Sequence, residues 1–115
     1  MNTVTLVGNL ASDVELREVG DGKKVASFLL AVDRPTRDDA ADFIWISAWE
    51  RQAEVCEQYL AKGHLVAVEG RLRSRSWEHE DGKRHAIDVT ANRVEFVSRP
   101  ARVEAETPVE EALMA

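Results

Sequence analysis

Arg71, Arg73 and Arg75 recur at a spacing of two, and Trp77 continues the series. In an extended strand, residues two apart share a face. A row of guanidinium groups can track a phosphate backbone, and an indole offers a base a flat surface to stack on. A second set lies upstream. Phe43, Trp45 and Trp49 alternate with Ile44, Ile46 and Ala48, Ser47 falling on the aromatic side. A small barrel has one interior. If the isoleucines and Ala48 fill it, the aromatics face outward, where a row of large apolar groups marks a binding surface. A basic strand beside an aromatic strand makes a groove suited to unpaired nucleotides, because a duplex hides its base faces. Blander alternatives exist. The arginines could lie on a solvated face paired with acids such as Glu69 and Glu78, since exposed ion pairs are common and weak. The aromatics could pack under a loop or in a subunit interface, and Trp77 could pack within its own hairpin.

Taken alone, the charge balance argues mildly against a polyanionic partner. The chain of 115 residues has 15 basic and 21 acidic side chains, a net charge of −6. Its distribution says more than its sum. Residues 101–115 set four glutamates against Arg102, whereas Lys62 to Trp77 sets Lys62 and three arginines against Glu69. Screening confines charge effects to about 10 Å at ordinary salt, so a local basic stripe can outweigh the total.

These residues need strands to position them. Thr3 to Leu10 places Val4, Leu6, Gly8 and Leu10 on one side, and Gly8 suggests a bulge or tight bend. Glu15 to Arg17 either extends that strand or pairs with the next. Asp21-Gly22 signals a hairpin turn. Val25 to Asp33 follows, with Phe28, Leu30 and Val32 facing one way, and Arg34 to Asp39 reads as a polar loop. Phe43 to Trp49 is the third strand. Arg51 to Lys62 has helical period, with Val55, Cys56, Tyr59 and Leu60 on one stripe, Lys62 in the last turn and Gly63 as C-cap. His64 to Trp77 is a long strand with Val66, Val68, Gly70 and Leu72 inward. Asp81-Gly82 marks a hairpin tip, and Arg84 to Val97 returns with Ile87, Val89 and Ala91 inward. The expected fold is all-β with one helix: a five-stranded Greek-key barrel of the OB type, the helix between strands 3 and 4. A flat α+β sheet is the structural alternative. The compact domain is expected over residues 1–98, with 99–115 a short acidic tail.

Other chemistries find little support. No run of about 18 apolar residues exists for a membrane helix, and the first residues show no secretory signal. The single cysteine, Cys56, forms no internal disulfide, suits a reducing cytosol and reads as inert core. His79 and His85 flank the Asp81-Gly82 tip, but two imidazoles on a mobile tip make a poor metal cage. There is no phosphate loop, nucleophile elbow or Cys-x-x-Cys pair. Neither enzyme activity, nor a metal, nor a cofactor is expected.

Three stretches bear a resemblance: Asn2-Thr3-Val4-Thr5-Leu6-Val7-Gly8-Asn9-Leu10, Ala53 to Gly63, and Val68-Glu69-Gly70-Arg71-Leu72-Arg73-Ser74-Arg75-Ser76-Trp77. With Val25-Ala26-Ser27-Phe28 they resemble the bacterial single-stranded-DNA-binding proteins of the tetrameric OB-fold family over residues 2–98. The resemblance implies stacking by Phe43, Trp49 and Trp77. It implies phosphate contacts by Arg71, Arg73 and Arg75, and a basic position at Lys62. It also implies a homotetramer, a dimer of dimers, serving DNA replication, recombination and repair. Two departures stand out. Thr36 occupies a loop position where many members have a further tryptophan, for which Trp45 could partly compensate. The acidic end, Glu110 to Met114, lacks the family's long linker, which puts recruitment of repair and replication enzymes in doubt.

The expected function is therefore sequence-independent binding of single-stranded DNA. Phe43, Trp45, Trp49 and Trp77 would stack bases. Arg71, Arg73 and Arg75 would contact phosphates, supported by Arg34, Arg37, Lys62, Lys83 and Arg84. The expected location is the cytoplasm, at the nucleoid, with no membrane partner. The rival from another class is an OB-fold module that binds protein through the same aromatics. RNA remains open, since stacking tolerates either sugar.

Overall fold

The computed structural model describes residues 1–35 and 40–98. Thr36, Arg37 and the tail 99–115 lie outside the described residues. The chain runs β1 (Val4–Leu10), β2 (Glu15–Val19), β3 (Lys23–Asp33), β4 (Ala41–Trp49), α1 (Arg51–Tyr59), β5 (Leu65–His79) and β6 (Gly82–Ser98). Hydrogen-bonded neighbours follow the order β1–β5–β6–β4–β3, and β1 also pairs with β3. Five strands thus close into a ring, the expected OB-type barrel. The segment left between two pairings, Glu15 to Arg17, belongs to β2, which pairs with β3 as an outer arm.

Closure depends on close backbone approach. β1 meets β3 only at Asn9↔Ala31 and Leu10↔Leu30. A Cβ on Gly8 would stand 2.4 Å from the Ala31 carbonyl oxygen. Gly8 therefore serves a tight strand crossing, and the bulge lies elsewhere. The β5–β6 register shifts between Glu69 and Gly70, where a Cβ on Gly70 would meet the Thr90 oxygen at 2.1 Å.

The interior follows the alternation. Ala26, Phe28 and Leu30 on β3, Ile46 and Ala48 on β4, and Val66 and Val68 on β5 are buried with Leu10, Val89 and Ala91. Two expected inward residues, Leu72 and Ile87, are instead exposed. The reason is the length of β1. Its last partner on β5 is Gly70, opposite Val4. Asn2 adds one further rung, its side-chain amide donating to the Leu72 carbonyl and accepting from the Leu72 N–H. Beyond it, β5 pairs only with β6, and the hairpin projects from the barrel with both faces open.

The helix is shorter than its sequence period suggests and ends at Tyr59, so Lys62 is outside the last turn and Gly63 is not its cap. Leu60 turns extended, and the Gly63 N–H donates to the Leu10 carbonyl while the Leu10 N–H donates to the His64 carbonyl. Pairing with β1 draws the segment away from the helix axis. The buried stripe is Ala53, Cys56 and Leu60; Val55 and Tyr59 face solvent. Burial pushes the Cys56 thiol up to about 11, so almost no thiolate exists at neutral pH.

Glu50 precedes the helix at φ 56°, ψ −123°, without a side-chain cap. Its N–H donates to Lys24 and its carbonyl accepts from Glu54, which fixes this conformation. A side chain at positive φ is strained where glycine is not. Glu50→Gly is expected to raise stability by about 1 kcal/mol, read as a higher urea midpoint. A lower midpoint would show that Glu50 is unstrained.

Candidate nucleic-acid interface

Register places the chemistry. Arg17 opposes Val25, which opposes Trp49. Ser27 opposes Ser47, Ser47 opposes Thr90, and Thr90 opposes Arg71. On the projecting hairpin, Arg73 opposes Asp88, Arg75 opposes Ala86 and Trp77 opposes Arg84. Directly opposed residues share a face. The outer face of β2, β3, β4, β6 and β5 thus presents indoles on β4 and guanidinium groups on β5.

Trp45, Trp49, Arg17, Arg73, Arg75 and Asp88 line one open groove of about 480 Å³. Trp45 also borders a recess of about 310 Å³, with Phe43, Leu72 and Ile87. This recess opens because β4 and β6 pair only at Ile46–Ser47 with Val89–Thr90, so Phe43 and the hairpin root stand apart. Phe43 is 61% exposed, Trp45 51% and Trp77 43%, whereas Trp49 is half-buried. Arg75 lies over the Trp77 ring, 5.4 Å from its centroid, and its Nε donates to Asp88 Oδ2 at 3.1 Å. Arg17, Arg71 and Arg73 make no salt bridge among the described residues.

The supporting cations scatter. Arg84 lies on the arginine face, with Asp81 Oδ2 at 3.3 Å. Lys83 opposes Glu78 and so lies on the other face of the hairpin. Arg34 follows β3 and pairs with Asp42 at 2.9 Å. Lys62 lies on the segment after α1, its N–H donating to Asp13 Oδ1, and lines neither cavity. Neither Glu69 nor Glu78 pairs with the arginine row; Asp88 does.

Two groove residues escaped the sequence reading. Arg17 shares the outward face only because β2 pairs with β3 rather than extending β1. Asp88 follows from alternation across the β5–β6 tip, which puts residues 84, 86, 88 and 90 on the arginine face. Among the described residues, no three His, Cys, Asp or Glu side chains group as a metal site, and no helix is long and apolar enough to cross a membrane.

A closed five-stranded barrel with a helix bridging β4 and β5 defines an OB-type domain, a fold whose sheet face and loops commonly take oligonucleotides. Residues 1–97 match the single-strand binding protein family, and the chain belongs to that family. Over 102 residues, 84% of this chain, it is 43% identical to single-stranded DNA-binding protein 3 of Clostridium acetobutylicum, of which it spans 71%. It is 42% identical to the single-stranded DNA-binding protein of Clostridium tetani over the same share of its length, spanning 70% of that protein. The single-stranded DNA-binding protein of Bacillus cereus is 44% identical, and 60% of it is spanned.

Proposed function

We propose that residues 1–98 bind single-stranded DNA with little sequence preference, protecting it during replication, recombination and repair. Bases stack on Trp45, Trp49, Trp77 and Phe43 while Arg17, Arg71, Arg73, Arg75 and Arg84 contact phosphates. The observation that carries this reading is the uncovered Trp45 indole in one groove with Arg73 and Arg75. The relatives, each named a single-stranded DNA-binding protein, support it. Binding is stoichiometric and non-catalytic, takes place in the cytoplasm and uses a homotetramer. The assembly is supported by β1, which between Val4 and Gly8 pairs with β5 alone, leaving one edge for a second copy.

Tryptophan fluorescence tests the reading. Oligo(dT) at low salt is expected to quench emission at a fixed stoichiometry, and a duplex of equal length is expected to leave it nearly unchanged. Emission that ignores oligo(dT) but responds to a duplex or to a protein would overturn this function, and a response to a protein alone would replace it with the protein-interaction one. Sedimentation of the same samples gives the subunit number.

A further inference from the structure

Among the described residues that line the groove, Asp88 is the single acid. The hairpin register sets it opposite Arg73 and diagonal to Arg75, on the face of both. Its side chain is 17% exposed, against 54% for that of Arg75. The carboxylate accepts from Arg75 Nε, and the same guanidinium covers one face of Trp77. Carboxylate, guanidinium and indole thus stand in sequence. The last two are groups that a bound strand requires, Arg75 for a phosphate and Trp77 for a base. In the free protein an internal anion holds the cation, and the cation occupies the ring.

We propose that Asp88 sets the affinity of the groove as an internal phosphate mimic, latching Arg75 onto Trp77 until a single strand displaces both contacts. The proposal rests on the groove being the single-stranded DNA site. A phosphate takes the place of the carboxylate on Arg75, and a base takes the place of the guanidinium on Trp77. Carboxylate and phosphate suit the same guanidinium fork, so they compete for it. An ion pair with a half-exposed arginine is weak, so a strand bringing several phosphates and a stacking base opens it. The latch tempers binding without blocking it. On release of the strand, the carboxylate recaptures the arginine from within the protein.

The opposite role for Asp88 would be to present Arg75 to the phosphate, and the two roles differ in sign. Asp88→Asn keeps the shape and removes the charge, and Asp88→Ser is a second variant with the same consequence. Wild type, Asp88→Asn, Arg75→Ala and the double variant are titrated with a labelled dT oligomer across a salt series, with a thermal melt for each. Asp88→Asn is expected to bind roughly fivefold tighter, the scale of one exposed ion pair, with a steeper salt dependence. The gain is expected to vanish in the Arg75→Ala background, where no latch exists. Equal or weaker binding by Asp88→Asn overturns the proposal. A gain that persists in the Arg75→Ala background does so too, because charge removal alone would then explain it. A wild type that leaves the dT oligomer unbound overturns the function of the groove and the latch with it, whereas failure of the latch alone leaves wild-type binding intact.

Discussion

Trp77→Ala is expected to weaken binding of a dT oligomer by about 1–3 kcal/mol, a loss of roughly 5- to 150-fold, with little change in melting temperature. The two halves of that result come from where Trp77 stands. It is on the part of β5 that pairs only with β6, beyond the last β1 partner at Gly70 and the Asn2 bracket at Leu72. Trp77 is 43% exposed and contributes nothing to the barrel core, and its ring lies against the Arg75 guanidinium. Truncation therefore removes a stacking surface and one cation–π contact, worth about 0.5–1 kcal/mol at exposed sites. Trp49 gives the contrast. It is half-buried opposite the buried Val25, so Trp49→Ala lowers affinity and melting temperature together. Anisotropy titration beside a thermal melt separates the cases. Unchanged affinity for Trp77→Ala removes Trp77 from the site, and a matching fall in melting temperature assigns it to hairpin packing.

The face that each side chain occupies was legible in the sequence wherever a strand alternates cleanly. Ile46 and Ala48 are fully buried while Phe43 and Trp45 are exposed, because period two leaves no other arrangement once one face is the core. Leu72 and Ile87 show the limit. Alternation gives their face correctly but not whether a core exists beneath it. That depends on where β1 ends, a contact between residues far apart in the chain. The helix end failed for a related reason. Leu60, Ala61 and Lys62 are good helix formers, yet pairing of Gly63 and His64 with Leu10 outweighs local preference. For Asp88, alternation gives the face, but its partner was hidden by register. The tip residues are Glu80 and Asp81, with His79 opposite Gly82. Moving the tip one residue onward would shift every partner by two and set Asp88 opposite Arg75 instead of Arg73. Local sequence marks the turn without fixing that count.

Raising NaCl from 50 to 200 mM is expected to lower affinity for a dT oligomer about twenty- to a hundredfold per protomer contacted. The range follows from the cations on the outer face. Arg17, Arg71 and Arg73 are free of salt bridges among the described residues, while Arg75 and Arg84 are paired with Asp88 and Asp81. A single-strand contact contributes a log–log slope near −0.7 for each phosphate neutralised. Three free cations give about −2, and all five give about −3.5. A paired arginine that exchanges its carboxylate for a phosphate leaves that carboxylate to regain a counterion, so its net release is small and the slope stays toward the lower end. The sign decides between two pictures of the charge. If the total of −6 governed the encounter, salt would screen repulsion and affinity would rise. If the arginine row governs it, the acids lying beyond a Debye length of about 10 Å count for little, and affinity falls. A flat or rising response would leave the arginines without a phosphate to hold.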